Sequence, residues 1–361
     1  MSVPRVIFVD TSIFDEQRYN FQSAAITAFL DAIKTARPTL LLPAPTEQEI
    51  IRHIREQVDE ASKILSDAKR RAPILSKWTG WPATLEARDT KWQLHTFAQG
   101  EWKAFLGHLD VKRLGYETVN LSRIMNWYEF KRAPFAVGKK AKEFPDAIAI
   151  DSIASYAASN NTDVAIVSRD ADFKKACTHY SGLLHFSSLP ALTEAILSVD
   201  ARVAALKPLV ASDLGVIGKS IEEAFTDCSF YPEDDPLGEV EDVAVDQVEV
   251  GSFNVIALGE RECKIAFDAT VSYSASVSFD DPDSLVGDSE DGYFALRRLS
   301  GTVSDSVEMS GVAKLTLNEA GEQLLTVIRL EFDNEDISVN GRPENGWNDD
   351  WRDDTNAGEE D

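Results

Sequence analysis

The chain has 361 residues and carries 36 Lys+Arg against 61 Asp+Glu, a formal net charge of -25. The charge is uneven: residues 1–200 hold 25 basic and 24 acidic side chains, residues 201–361 hold 11 and 37. That imbalance argues against nonspecific binding of nucleic acid or anionic membrane by the second half, and leaves nucleic acid open for the first.

The length allows two or three domains with a large core. Cys177, Cys228 and Cys263 fit neither a zinc spacing nor a disulfide framework. The apolar run Val6–Val9 is too short for a secretory segment, and no run approaches the ~20 apolar residues of a membrane span. A cytoplasmic protein without membrane contact is expected.

In chain order, Val6, Ile7, Phe8 and Val9 form an apolar strand closed by Asp10, as suits a parallel sheet buried on both faces. Thr11 and Ser12 follow, then a helix over about 23–36. A second buried strand covers 39–43. A helix starts near Glu47 and runs to about Arg71. Thr46 with Glu49 three residues on matches a capping box, the structural alternative to a chemical role for Glu49. Residues 73–142 read as a helical insertion holding Trp78, Trp81, Trp92, Trp102 and Trp127, expected mostly as local core. Lys131, Arg132, Lys139, Lys140 and Lys142 make a basic run, either a solvated loop or a phosphate contact.

The run from Phe144 to Asp151 is the centre of the sequence. Pro145 suits the first helical position, and Ala147, Ile148, Ile150, Ile153, Ala154 and Ala157 continue as an apolar surface packed on more than one side. Asp146, on the positive end of the helix dipole, is expected to stay ionised and to need a cation. A third strand covers 163–168 and leads into Arg169, Asp170 and Asp172, the last a candidate helix N-cap. A fourth, edge-like strand covers 183–186 and a helix 188–197. Strands alternating with helices imply a parallel α/β sandwich.

Beyond residue 200 the pattern changes. Residues 201–232 read as a helical connector. Residues 233–340 form an acidic β-rich domain, with period-two alternation over 243–339 predicting five to seven antiparallel strands. Residues 341–361 have the composition of a disordered acidic tail.

Ligands of a parallel α/β sheet bind outside the carboxyl ends of its strands. Asp10, Glu49, Asp146, Asp170 and Asp172 all fall at such ends or at adjoining helix starts. Carboxylates gathered on one edge repel one another unless a cation is present, and oxygen donors suit Mg²⁺ or Mn²⁺.

These segments resemble the four motifs of PIN-domain nucleases. Val9 to Ser12 resemble the first and Pro43 to Glu49, with Ile50 to His53 after them, the second. Phe144 to Ala149 resemble the third and Ser168 to Phe173 the fourth. The resemblance covers residues 5–198 and is closest to a bacterial PIN-like branch with a long helical insertion between the second and third motifs. It implies a Mg²⁺- or Mn²⁺-dependent nuclease, with an endoribonuclease, and RNA rather than DNA, as the expected activity and partner. It carries over Asp10, Glu49, Asp146 and Asp170 as the catalytic acids. Asp10, Asp146 and Asp170 would hold the metal with Asp172 accessory, and Thr11 or Ser12 supplies the hydroxyl beside the first acid. Lys139, Lys140, Lys142 and Arg169 are the candidates for substrate phosphates. The competing reading is a catalytically inactive PIN-like scaffold whose acidic β domain binds a protein partner. A phosphatase of the haloacid-dehalogenase type needs a second Asp where Ser12 stands.

Overall fold

Every residue of strand β1 (Val6–Val9) is buried, because it lies at the centre of a parallel sheet. In the computed structural model, which describes residues 5–34, 36–72, 74, 90–135, 143–233, 238–288, 293–318 and 324–339, the chain divides into two compact units, Met1–Ala201 and Arg202–Asp361.

The first unit is an α/β sandwich. After β1 come α1 (Thr11–Glu16), α2 (Ala24–Ile33), β2 (Thr39–Pro43), the long α3 (Ala44–Arg71), α4 (Thr90–Gly107), β3 (Asp110–Leu114) and α5 (Leu121–Glu129). Then follow α6 (Phe144–Asn160), β4 (Val164–Val167), α7 (Ala171–His179), β5 (Leu183–Phe186) and α8 (Leu189–Leu197). The five strands lie in the order β3-β2-β1-β4-β5, and every pairing is parallel. Alternate residues supply two cores, as the period of a strand requires. Ile7 and Val9 join Phe14, Phe29, Trp102 and Phe105 on one face. Val6 and Phe8 join Ile150, Ile153 and Phe173 on the other. The strand order turns back at β1 and β4, which opens a crevice at their carboxyl ends.

The insertion departs from the all-helical expectation. β3 extends the main sheet beside β2, a fifth strand whose polar residues suit a sheet edge. Trp102 is buried and Trp127 packs partly buried against the core, but Trp92 is exposed. Trp78, Trp81, Lys139, Lys140, Lys142 and the expected tail at 341–361 lie outside the described residues. α3 begins three residues before the predicted start. Pro43 is its N-cap residue and Pro45 falls in its first turn, so Thr46 sits inside the helix and no Thr46–Glu49 capping box forms. Glu49 is thereby left to other contacts.

In the second unit α9 (Ala201–Ser212) and α10 (Leu214–Phe225) precede β6 (Ser229–Pro232), β7 (Glu239–Leu258), β8 (Glu262–Asp288), β9 (Tyr293–Leu317), β10 (Leu324–Phe332) and β11 (Asp336–Val339). β7 to β10 form an antiparallel sheet in the order β10-β9-β8-β7. The alternation of Val271, Tyr273, Ala275 and Val277 puts these residues in the core. α10 lies along this sheet, with the Phe225 and Tyr273 rings 5.3 Å apart. Not every pairing is antiparallel: β6 and β11 form a separate parallel pair.

Candidate active site

Asp10 ends β1 and serves as the N-cap residue of α1, yet its side chain makes no cap hydrogen bond. It is turned instead to its neighbours across the crevice. Ser12 Oγ and Ser168 Oγ donate to its Oδ2 at 2.6 and 2.8 Å. The Asp10 backbone N–H donates to the Val167 carbonyl at 2.9 Å, fixing the ends of β1 and β4 side by side. Burial pushes the Asp10 carboxyl above the usual carboxylate range, and bonds from Ser12, Ser168 and the Thr11 backbone pull it partway back. No cation supplies any of these stabilising bonds.

The Thr11 hydroxyl lies between two carboxylates, 3.5 Å from Asp10 Oδ1 and 3.4 Å from Glu49 Oε2. It therefore ties the first turn of α1 to the second turn of α3. Asp146, in the first turn of α6, completes the group. Its carboxyl is pushed up to about 8, first by burial, then by the charges of Asp10 and Glu143, a hydrogen bond with Glu143 and the charge of Glu49. The expectation that the helix dipole keeps Asp146 ionised is thus corrected. A dipole contribution of ~0.3–1 kcal/mol is outweighed by desolvation and like charge. Glu143, the N-cap residue of α6, was not singled out in the sequence. Its one signal is an acid three residues before Asp146 at the start of the same helix.

The fourth-motif acids stand apart from this crowd. Asp170, not Asp172, is the N-cap residue of α7, and its side chain accepts the Asp172 backbone N–H at 2.7 Å. Its own backbone N–H donates to Ser168 Oγ at 3.0 Å, so it joins Asp10 through one hydroxyl. Asp172 is buried and meets Lys175 Nζ at 3.1 Å. Arg169 donates its backbone N–H to Ser12 Oγ at 3.3 Å and its guanidinium to Glu16 at 2.6 Å. Among the described residues, no three His, Cys, Asp or Glu side chains meet closely enough to hold a metal ion. The charges of Asp10, Glu143 and Glu49 nevertheless act together on Asp146 and, with burial, push its carboxyl up. An all-oxygen donor set under that repulsion fits a hard divalent cation.

Residues 7–173 match the family model of the PIN domain. Over these residues the first unit is similar to the PIN domain, and its parallel α/β sheet is consistent with a PIN-like fold; members of that family are generally nucleases and commonly use divalent metals. No curated protein and no solved structure matches the chain. Among the described residues no helix is long and apolar enough to cross a membrane.

Proposed function

We propose that the first unit is a divalent-metal-dependent phosphodiester hydrolase acting on nucleic acid, an endoribonuclease before a deoxyribonuclease. The observation that supports it is the Thr11 hydroxyl between Asp10 and Glu49, with the charges of both acids acting on Asp146, and with hydroxyls rather than lysine or arginine bonded to Asp10.

In this reading Asp10 and Asp146 are the principal ligands of Mg²⁺ or Mn²⁺, with Glu49 and Glu143 beside them and Asp170 reaching the group through Ser168. A bound divalent ion lowers the pKa of a water and offsets charge on a phosphate oxygen. The protein's own role is to hold carboxylates where they would otherwise take up protons. Ser12 and Ser168 orient the Asp10 carboxylate, and Thr11 sets the spacing to Glu49. Arg169, at the rim, faces the strand's phosphates, and Asp172 supports α7 through Lys175. All three cysteines are free thiols, which suits a reducing cytoplasm.

The rival is a scaffold without catalysis, partnered through the acidic β domain. Lys175 at Asp172 and Arg52 at Glu49 favour it, since each sets a cation against a site acid. Cleavage of single-stranded RNA in Mn²⁺ by Asp146→Asn, compared with wild type, decides between them. The hydrolase requires the variant to lose nearly all activity, and equal activity removes the metal-site reading.

A further inference from the structure

We propose that Arg52 holds a substrate phosphate at the edge of the acidic cluster, and that His53, Asp15 and Tyr19 form a brace that aims it. This deepens the nuclease reading and rests on it.

Arg52 lies one turn beyond Glu49 on α3, with its side chain 59% exposed. Its Nη2 is 3.2 Å from Glu49 Oε1 and 3.2 Å from His53 Nε2, and its Nε is 3.7 Å from Glu56. The two acidic contacts are ordinary helix-surface pairs, worth little and easily exchanged. The histidine contact is different. A guanidinium only donates, so the contact is a hydrogen bond in the tautomer that carries its ring proton on Nδ1 and accepts at Nε2. Nδ1 lies 2.9 Å from Asp15 Oδ1 and 3.0 Å from the Tyr19 hydroxyl. With Nδ1 donating to Asp15, the Tyr19 hydroxyl also turns to Asp15, and that bond helps hold its proton on. Burial and the nearby charges of Asp15, Glu49 and Asp10 act in the same direction. The turn that delivers Tyr19 runs through two consecutive left-handed residues, Arg18 at φ 47° and Tyr19 at φ 55°, a conformation that costs non-glycine residues energy.

Three residues, from α1, its following turn and α3, thus converge to fix one exposed guanidinium beside Glu49. A surface arginine that merely pairs along its helix needs no such support. Phosphate chemistry supplies the reason for it. A phosphodiester approaching Asp10, Glu49 and Asp146 meets like charge, and a planar fork of N–H donors offsets that repulsion while orienting the phosphate oxygens.

The test is equilibrium binding of a short fluorescent oligouridylate to the full chain, followed by anisotropy across a KCl series, with Ca²⁺ replacing Mn²⁺. Arg52→Gln should lose about tenfold in affinity, and its log–log salt slope should be shallower by about one. Arg55→Gln, an exposed change on the same helix, should match wild type in both. His53→Ala should weaken binding yet keep the wild-type slope, because the charge remains and only its aim is lost. An unchanged slope in Arg52→Gln, or an equal loss in Arg55→Gln, overturns the assignment while wild-type binding leaves the nuclease reading standing. Wild-type protein that shows no salt-dependent binding removes both.

Discussion

Ser168 at the end of β4 donates its hydroxyl to Asp10 at the end of β1, 2.8 Å away, and accepts the backbone N–H of Asp170 at 3.0 Å. One oxygen therefore links the first-motif acid to the fourth. Ser168→Ala removes a hydrogen bond to a buried carboxylate and is expected to cost about 1–2 kcal/mol of stability. Loss of a group that orients a ligand should also lower Mn²⁺ affinity by about tenfold or more. Isothermal titration with Mn²⁺ on wild type and variant measures the second effect. Equal affinities would mean that Asp10 needs no such support.

Asp146 predicts a pH dependence. Its folded-state pKa, about 8, lies above the ordinary carboxylate value, so the folded chain binds more protons than the unfolded chain between about pH 4 and 8. Stability without divalent ions must fall as pH rises through that window, then level off. Asp146→Asn should flatten the fall and melt higher than wild type at about pH 8 to 9, by about 2–4 °C per kcal/mol recovered. Thermal melts in a chelator across pH test this. Mn²⁺ should raise the wild-type melting temperature most at the alkaline end and leave the variant nearly unmoved.

Asp172 illustrates how a motif acid can be occupied elsewhere. Its ion pair with Lys175 predicts that Asp172→Asn lowers melting temperature but changes Mn²⁺ affinity less than Asp10→Asn does. Titrations of the two variants side by side check the ranking, and a larger loss in Asp172→Asn would return this residue to the ligand set.

The helix carrying Asp146 is anchored by a pair that contains no site residue. Asp151 is fully buried and accepts from the Arg123 guanidinium of α5 and, at 2.8 Å, from the Asn120 backbone N–H. Arg123 also reaches Ser155 at 2.9 Å. Arg123→Ala strands a buried carboxylate and should cost about 3 kcal/mol, the low end for a buried pair because the guanidinium is partly exposed. Asp151→Asn leaves a partly exposed cation that keeps its bond to Ser155, and should cost less. Urea melts of both variants test the asymmetry.

The main sheet was legible because strands buried on both faces leave apolar runs such as Val6 to Val9 and Val164 to Val167, which no helix period explains. β3 was not. Asp110, Lys112 and Arg113 face solvent at a sheet edge, and a strand defined by its neighbour's hydrogen bonds leaves little mark on its own residues. The Thr46–Glu49 spacing misled because Pro45 can open the helix one turn earlier. The places of the proposed site residues Asp10, Glu49 and Asp146, after β1 and in the opening turns of α3 and α6, were readable from the strand and helix pattern. The partner of Asp151 lies 28 residues upstream on another helix, and no local pattern encodes it. Glu143 was hidden by the basic run before it, and Arg52 by the regularity of the helix it sits on.

The parallel pairing of β6 with β11 has a mechanical consequence. The chain enters this pair at Ser229, matched to Asp336, and leaves it at Val339, matched to Pro232. Tension transmitted along the flanking polypeptide would pull the two strands lengthwise in opposite directions. The bonds at both ends, from Ser229 to Glu335 and from Glu233 to Val339, would bear load together rather than rupture in succession. The short ribbon would thus act as a clasp in shear, keeping the long hairpins behind it unstretched until it gives way.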